Sequence, residues 1–341
     1  MAFFLVTGGA GFIGSHLVDA LLINGHGVRV LDDLSSGRRE NLLPCVEFIE
    51  GDITDPGAVE QAFDGIDGCF HLAAIVSVER SHTEWVRTHQ VNLTGTINVF
   101  NAAKRSGRPT IPVVYASTAA VYGDCLSVPI SEENSPAPLS AYGVDKLGCE
   151  LHAHVAGALH GLSTIGLRFF NIYGPRQDPH SPYSGVIAIF ADRLLRGEAV
   201  EIFGDGEQSR DFTYVGDVVC ALRLAMPAAS AAAFVFNVCT GAGTTVQSLA
   251  ERMADLCDTK LVVHRRAARR GEVRSSIGDP RRAAQQLGFT ATTALSNGLA
   301  ITLSALKSSA KIGELPSAGT PGDGDQWCVV PGRSGIEFNE S

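Results

Sequence analysis

Through residue 171 the chain alternates short apolar runs with longer segments whose apolar residues recur every three or four positions. Runs over 3–6, 28–31, 46–49, 68–72, 112–116 and 164–169 predict six buried strands. Between them, spacings such as Ile13, Leu17, Leu21 and Leu22 predict helices. Strand and helix in alternation is the pattern of a doubly wound parallel α/β sheet of Rossmann type. Each run ends near a residue able to reach a ligand: Gly8, Asp32, Asp52, Ala73, Ser117 and Asn171. In such sheets ligands bind outside the carboxyl ends of the strands.

Beyond Asn171 the texture changes. A Pro- and Gly-rich loop over 173–185 leads to a helix over 186–196, a short strand over 200–203 and a loop over 204–210. A second, smaller α/β domain is expected to begin here, while a helix over 215–226 and a strand over 234–238 are expected to return to the first. The division expected is residues 1–171, rejoined by about 212–240, then residues 172–304, then 305–341. That last stretch is rich in Gly, Pro and Ser, lacks periodicity, and reads as a mobile tail. Two helices carry more apolar surface than packing on the sheet requires: Val91, Ile97, Val99 and Phe100 in one, Leu147, Leu151, Val155 and Leu159 in the other. The pair predicts a homodimer.

The first strand runs into Thr7-Gly8-Gly9-Ala10-Gly11-Phe12-Ile13-Gly14, where a strand, a glycine turn and a helix start meet. Glycines at 8, 11 and 14 permit a tight turn, let a pyrophosphate approach the backbone and allow close helix packing. The phosphate would sit on free N–H groups at the positive end of the helix dipole. The second strand ends at Asp32, where a carboxylate accepts ribose hydroxyls and repels a 2′-phosphate, so NAD is favoured over NADP. Arg38 and Arg39 lie nearby and pull the other way, since a 2′-phosphate wants an arginine. Residues 1–171 therefore read as an NAD-binding domain.

Composition narrows the partners. At 341 residues and 45% apolar content the chain has ample material for a large core. A net charge of −9 argues against a general binder of nucleic acid or membrane surfaces. No uninterrupted apolar stretch is long enough to span a bilayer. The first residues lack a charged leader and read as strand. The eight cysteines are scattered singly without metal-ligand spacing, so no metal is expected, and reduced thiols in a cytoplasmic protein are.

Candidate chemistry lies in Ser117 and Thr118 after the fifth strand, and in Tyr142 and Lys146, four apart on one helical face. A cation about 5 Å from a phenol, at an effective dielectric of about 20, contributes about 3 kcal/mol, or about two pKa units. With the positive charge of an oxidised nicotinamide added, the tyrosine becomes a general base for an alcohol.

These stretches, with Asp32 to Gly37, Gly51-Asp52-Ile53, His71-Leu72-Ala73-Ala74, Asn92, Tyr115 to Gly123 and Arg168 to Arg176, resemble the extended short-chain dehydrogenase/reductases. The resemblance covers about residues 3–290 and is to the NAD-dependent nucleotide-sugar epimerases and dehydratases, the UDP-hexose 4-epimerases among them. It implies that Gly8, Gly11, Phe12, Ile13, Gly14, Asp32, Ser36 and Gly37 hold NAD. Asp52 and Ile53 would flank the adenine, and Leu72, Ala73, Ala74, Asn92, Ser117, Tyr142 and Lys146 would line the rest. Thr118 would bond the reacting hydroxyl of a UDP-sugar, with Ser77, Asn171, Arg210, Arg269 and Ser276 as further substrate contacts.

Related dehydratases follow that threonine with Asp-Glu. Here the residues are Ala119-Ala120, which disfavours elimination. Ser276 occupies the place where a bulky tyrosine restricts 4-epimerases to glucose and galactose, so N-acetyl sugars are favoured, alongside the unacetylated pair. A UDP-glucuronate 4-epimerase, a net keto-sugar oxidoreductase and a non-catalytic sensor of NAD redox state remain as alternatives.

Overall fold

The computed structural model describes residues 1–104, 109–125, 127–179, 185–268, 271 and 273–313. The first half runs β1 (Phe3–Thr7), α1 (Phe12–Ile23), β2 (Gly27–Asp32), β3 (Glu47–Glu50), α2 (Pro56–Ala62), β4 (Gly68–His71), α3 (Val78–Thr83), α4 (Trp85–His89), α5 (Gly95–Ala103), β5 (Val113–Thr118), α6 (Ala141–His160) and β6 (Thr164–Phe169). The second half runs β7 (Asn171–Tyr173), α7 (Val186–Leu195), β8 (Val200–Phe203), β9 (Ser209–Tyr214), α8 (Val215–Ala228), β10 (Phe234–Val238), β11 (Gly243–Thr245), α9 (Val246–Leu256), β12 (Val263–Arg266), β13 (Ser275–Ser276), α10 (Arg281–Leu287) and α11 (Leu295–Gly313).

Seven parallel strands form one sheet in the order β3-β2-β1-β4-β5-β6-β10. Strand order reverses between β1 and β4, and at such a switch point the loops diverge and leave a crevice. The pleat divides the core: neighbours Leu5 and Val6 on β1 point to opposite faces. Val6 joins Leu17, Val18 and Leu21 of α1 with Val218 and Leu222 of α8. Leu5 joins Val59 of α2, Val99 and Phe100 of α5 and Ala153 of α6. β10 pairs with β6, so residues 234–238 complete the large sheet after the excursion through β7 to β9.

A second core packs Phe190 and Leu194 of α7, Ile202 of β8, Leu249 and Met253 of α9, and Leu299 and Leu303 of α11. Beside it β9 is flanked by β11 and β13 and also pairs with β7. Among the described residues no helix is long and apolar enough to cross a membrane, and no cluster could hold a metal ion. The seven described cysteines are free.

Two expectations are corrected. Residues 305–313, expected to lie in a tail, belong to α11, which continues to Gly313 and whose Leu306 packs on the second core; the rest of the expected tail, 314–341, lies outside the described residues. The outer apolar face expected on two helices exists on one. Val91, Val99 and Phe100 are buried against the sheet, whereas Leu151, Val155 and Leu159 of α6 are 62%, 49% and 71% exposed. Trp85 and Val86 of α4 extend that exposed surface.

Inside the sheet Arg168 of β6 grips Glu150 of α6 through two bonds, Nε to Oε1 at 2.8 Å and Nη2 to Oε2 at 2.6 Å. Both side chains are buried. Removing one partner strands a charge where water does not reach, which costs about 3–5 kcal/mol. Arg168→Met should therefore lose that much stability in urea denaturation; a loss below about 1 kcal/mol would mean the pair is solvated.

Candidate active site

The glycine turn brings β1 and the end of β4 into backbone contact. Gly8 holds φ at 70°, and a Cβ there would sit 2.6 Å from the Ala73 amide nitrogen. A Cβ on Gly14 would run into the Gly8 carbonyl. Gly11 is the N-cap of α1 and no side chain satisfies the first-turn amides. Uncapped amides above a cradle that any side chain would fill fit a pyrophosphate.

Asp32 is buried at the end of β2. Its Oδ2 accepts from Ala10 N and its Oδ1 from Leu34 N, each at 2.9 Å, and burial raises its carboxyl above the usual range. Each oxygen keeps a second lone pair for a ribose hydroxyl. Gly37 packs on this carboxylate and Ser36 is exposed beside it. Asp52 pairs with Arg87 at 2.7 Å, while Ile53 is buried against Gly95. Leu72, Ala73 and Ala74, just past β4, are half-buried beside the turn.

Three expected contacts have their side chains engaged elsewhere. Asn92 is fully buried and clamps Ile75, accepting from its N–H at 2.8 Å and donating to its carbonyl at 2.9 Å. Ser117 donates to Glu150 Oε1 at 2.5 Å, inside the core. Ser77 caps α3 by accepting from Arg80 N at 2.9 Å. The reason is the same each time: a buried polar side chain takes a partner within reach.

Thr118, Tyr142 and Lys146 converge at the carboxyl end of β5. Ser140, two residues before Tyr142, caps α6 by accepting from Gly143 N at 3.1 Å, which fixes the helix start at Ala141. The Thr118 hydroxyl accepts from Ala120 N at 3.1 Å and is hydrogen-bonded to the Tyr142 phenol. Lys146, 2% exposed, donates from Nζ to the Ala116 carbonyl at 3.1 Å. The electrostatics differ from the expected lowering of the phenol by lysine. Burial pushes Tyr142 up to about 12, against the pull of the Thr118 bond, and burial lowers Lys146. Desolvation disfavours both charged forms and is the largest cause of each shift.

The small sheet gathers most of the other expected contacts. Ser276 is registered against Arg210, and Asn171 against Phe212, two residues further along β9. Arg210 donates from Nη1 to the Ser209 carbonyl at 2.9 Å. Arg269 lies outside the described residues.

Sequence reasoning missed His71. Fully buried, it bonds Thr7 Oγ1 through Nδ1 at 2.7 Å and Thr96 Oγ1 through Nε2 at 3.0 Å, tying β4 to β1 and α5. It also missed Asp211, whose carboxylate gathers Thr240 and the amides of Gly241 and Gly278. For His71 the available signal was a polar residue inside an apolar run; Asp211 stands in a polar stretch and gave no such signal.

Residues 4–239 match the model of the NAD dependent epimerase/dehydratase family. A UDP-glucose 4-epimerase of Mycolicibacterium smegmatis is 39% identical over 308 residues, 88% of this chain and 96% of that protein. The crystal structure of UDP-glucose 4-epimerase with UDP-glucose from Thermotoga maritima superposes with a TM-score of 0.85 at 40% identity, covering 90% of this chain and 99% of that one. UDP-N-acetylglucosamine 4-epimerase from Methanobrevibacter ruminantium, in complex with UDP-N-acetylmuramic acid, gives 0.85 at 35% identity over 90% and 99%.

Burial, with a smaller contribution from the Lys146 charge, lowers His71 from 6.5 to about 3. Between those values the unfolded chain holds a proton that the folded chain refuses, so stability is fully present above pH 6.5 and falls with acidification below it. The slope is about 1.4 kcal/mol per pH unit for one group. His71→Gln should lessen the decline of unfolding free energy between pH 7 and 5 by that slope; parallel curves for the two proteins would contradict it.

Proposed function

The chain belongs to the NAD-dependent epimerase/dehydratase family, and on that footing we propose that it is an isomerase that interconverts a UDP-hexose and its C4 epimer. The observation that carries this reading is the meeting of Thr118, Tyr142 and Lys146 at the end of β5, beside the glycine cradle. NAD would be held by the first-turn amides of α1 from Gly11 to Gly14, by Asp32 with Ser36 and Gly37, by Asp52 and Ile53 around the adenine, and by Leu72 to Ala74 and Lys146. Bound there, NAD would supply reversible hydride transfer at C4 of the sugar, with no net redox change.

The chain's own residues handle the proton. Tyr142, as phenolate, takes it from the 4-hydroxyl and later hands it back, while Thr118 donates to the oxygen that becomes the 4-keto group. Lys146 stabilises the phenolate and holds the nicotinamide ribose. Asn171 and Arg210 retain the diphosphate, with Arg269 as a second guanidinium, so the keto sugar turns over without leaving. Ala119 and Ala120 supply neither acid nor base for elimination. The small Ser276 leaves room beside C2, which favours UDP-GlcNAc and UDP-GalNAc together with UDP-Glc and UDP-Gal. The exposed apolar surface of α6 and α4 supports a homodimer, and the free thiols support a reducing, cytoplasmic setting.

Tyr142→Phe should lower turnover by at least about 100-fold while NAD stays bound; retention of most activity would remove the assigned base. Offered UDP-GlcNAc, UDP-Glc and UDP-glucuronate separately, the enzyme should epimerise the first two, and Ser276→Tyr should abolish use of the first alone. Turnover of UDP-glucuronate only would favour the acid-sugar reading instead.

A further inference from the structure

The segment 174–178, which follows β7, lies on the NAD-binding half, and three side chains fasten it there. Nε2 of His16 on α1 pairs with the Pro175 carbonyl at 2.9 Å, Arg176 reaches Asp19 of the same helix at 2.7 Å, and Arg38 donates to Asp178 at 2.6 Å. Arg176 holds φ at 66°, a left-handed conformation that costs a residue with a side chain and persists where surrounding contacts hold it.

The third tie falls where the cofactor's ribose would be read. Arg38 follows Gly37, and a Cβ on Gly37 would sit 2.8 Å from Asp32 Oδ1. The Arg38 amide donates to the Ala10 carbonyl of the glycine turn at 3.0 Å. A 2′-phosphate here would set between one and two further negative charges beside a buried carboxylate, and only a guanidinium nearby would compensate. Two arginines follow Gly37. Arg39 stacks on Phe48, 4.9 Å from the ring centroid. Arg38 adjoins Gly37, and its guanidinium is already paired with the carboxylate of Asp178.

We propose that Asp178 sets the preference for NAD over NADP by holding Arg38 away from the 2′ position. Asp178 is a positioning residue: it acts through Arg38 across 140 residues of chain. The negative element is thus double, with Asp32 repelling a phosphate and Asp178 occupying the cation that would have offset the repulsion. Discrimination by this route costs the NAD site nothing, because a ribose with a free 2′-hydroxyl makes no demand on Arg38. Seating a 2′-phosphate on Arg38 would also break one of the three ties of the 174–178 segment. The inference rests on the reading of the cradle as an NAD site.

Both side chains are partly exposed, so the effect is modest. Titrating the full chain with NADH and with NADPH, followed by nicotinamide fluorescence, tests it in wild type, Asp178→Asn, Arg38→Ala and the double variant. Asp178→Asn should tighten NADPH about three- to tenfold with NADH within twofold, and the gain should vanish when Arg38→Ala is added. NADH binding in each variant reports that the fold is intact. An unchanged NADPH-to-NADH ratio in Asp178→Asn, or a gain that survives Arg38→Ala, overturns the inference alone. A wild-type chain that binds neither nucleotide overturns the cofactor reading and this inference with it.

Discussion

Tyr142, Lys146, Cys149 and Glu150 form a polar stripe along α6, and that stripe is buried against β5. Removing such groups from water is costly unless each charge finds a partner, and the partners here fix the geometry around them. Glu150 receives Arg168 and Ser117; Arg168 also donates to Tyr122 at 2.8 Å and lies 4.8 Å from its ring centroid. Tyr122 donates to Asn237 on β10 at 2.7 Å, and Asn237 to the Ile130 carbonyl at 2.9 Å. The Ile130 amide in turn donates to the carbonyl of Ile277, the residue after Ser276, at 2.8 Å. An unbroken chain of polar contacts therefore links the helix of the proposed base to the strand proposed to face the sugar. Buried pairs add little net stability, but they specify register, and Ser117 registers Thr118.

The same burial prepares the chemistry. Tyr142 is held at about 12 and Lys146 is lowered because neither has water to support its charge. In so poorly hydrated a site the effective dielectric is low, and a cation placed near the phenol acts on it more strongly than it would in water. The base proposed for the reaction is thus weakly ionised until positive charge arrives, which ties its activation to occupancy of the neighbouring crevice.

What the sequence disclosed was local. Alternating runs and helical spacing placed six strands of the large sheet and β10, because pleat and pitch print themselves on consecutive residues. The cradle was legible because only glycine meets its steric demands at 8 and 14. What it hid were partners distant in the chain. Arg168 finds Glu150 18 residues away, and His71 finds Thr7 64 away, so each read as a lone polar residue. Asn92 and Ser117 were named from motif position, but their side chains turned to closer partners in the core. Val99 and Phe100 looked surplus because the sheet's need for apolar cover is not visible in one helix. Arg38 read as a weak pull towards NADP for the same reason: nothing near it in sequence reveals Asp178.

If the desolvated phenol becomes a base through the charges gathered around it, ultraviolet difference titration of tyrosine in the NAD-bound protein will register the change. One tyrosine, absent from the Tyr142→Phe trace, should ionise near neutrality and move up by about two units in Lys146→Met. If that tyrosine ionises at 10 or above with NAD bound, or is indifferent to the loss of Lys146, the account is wrong.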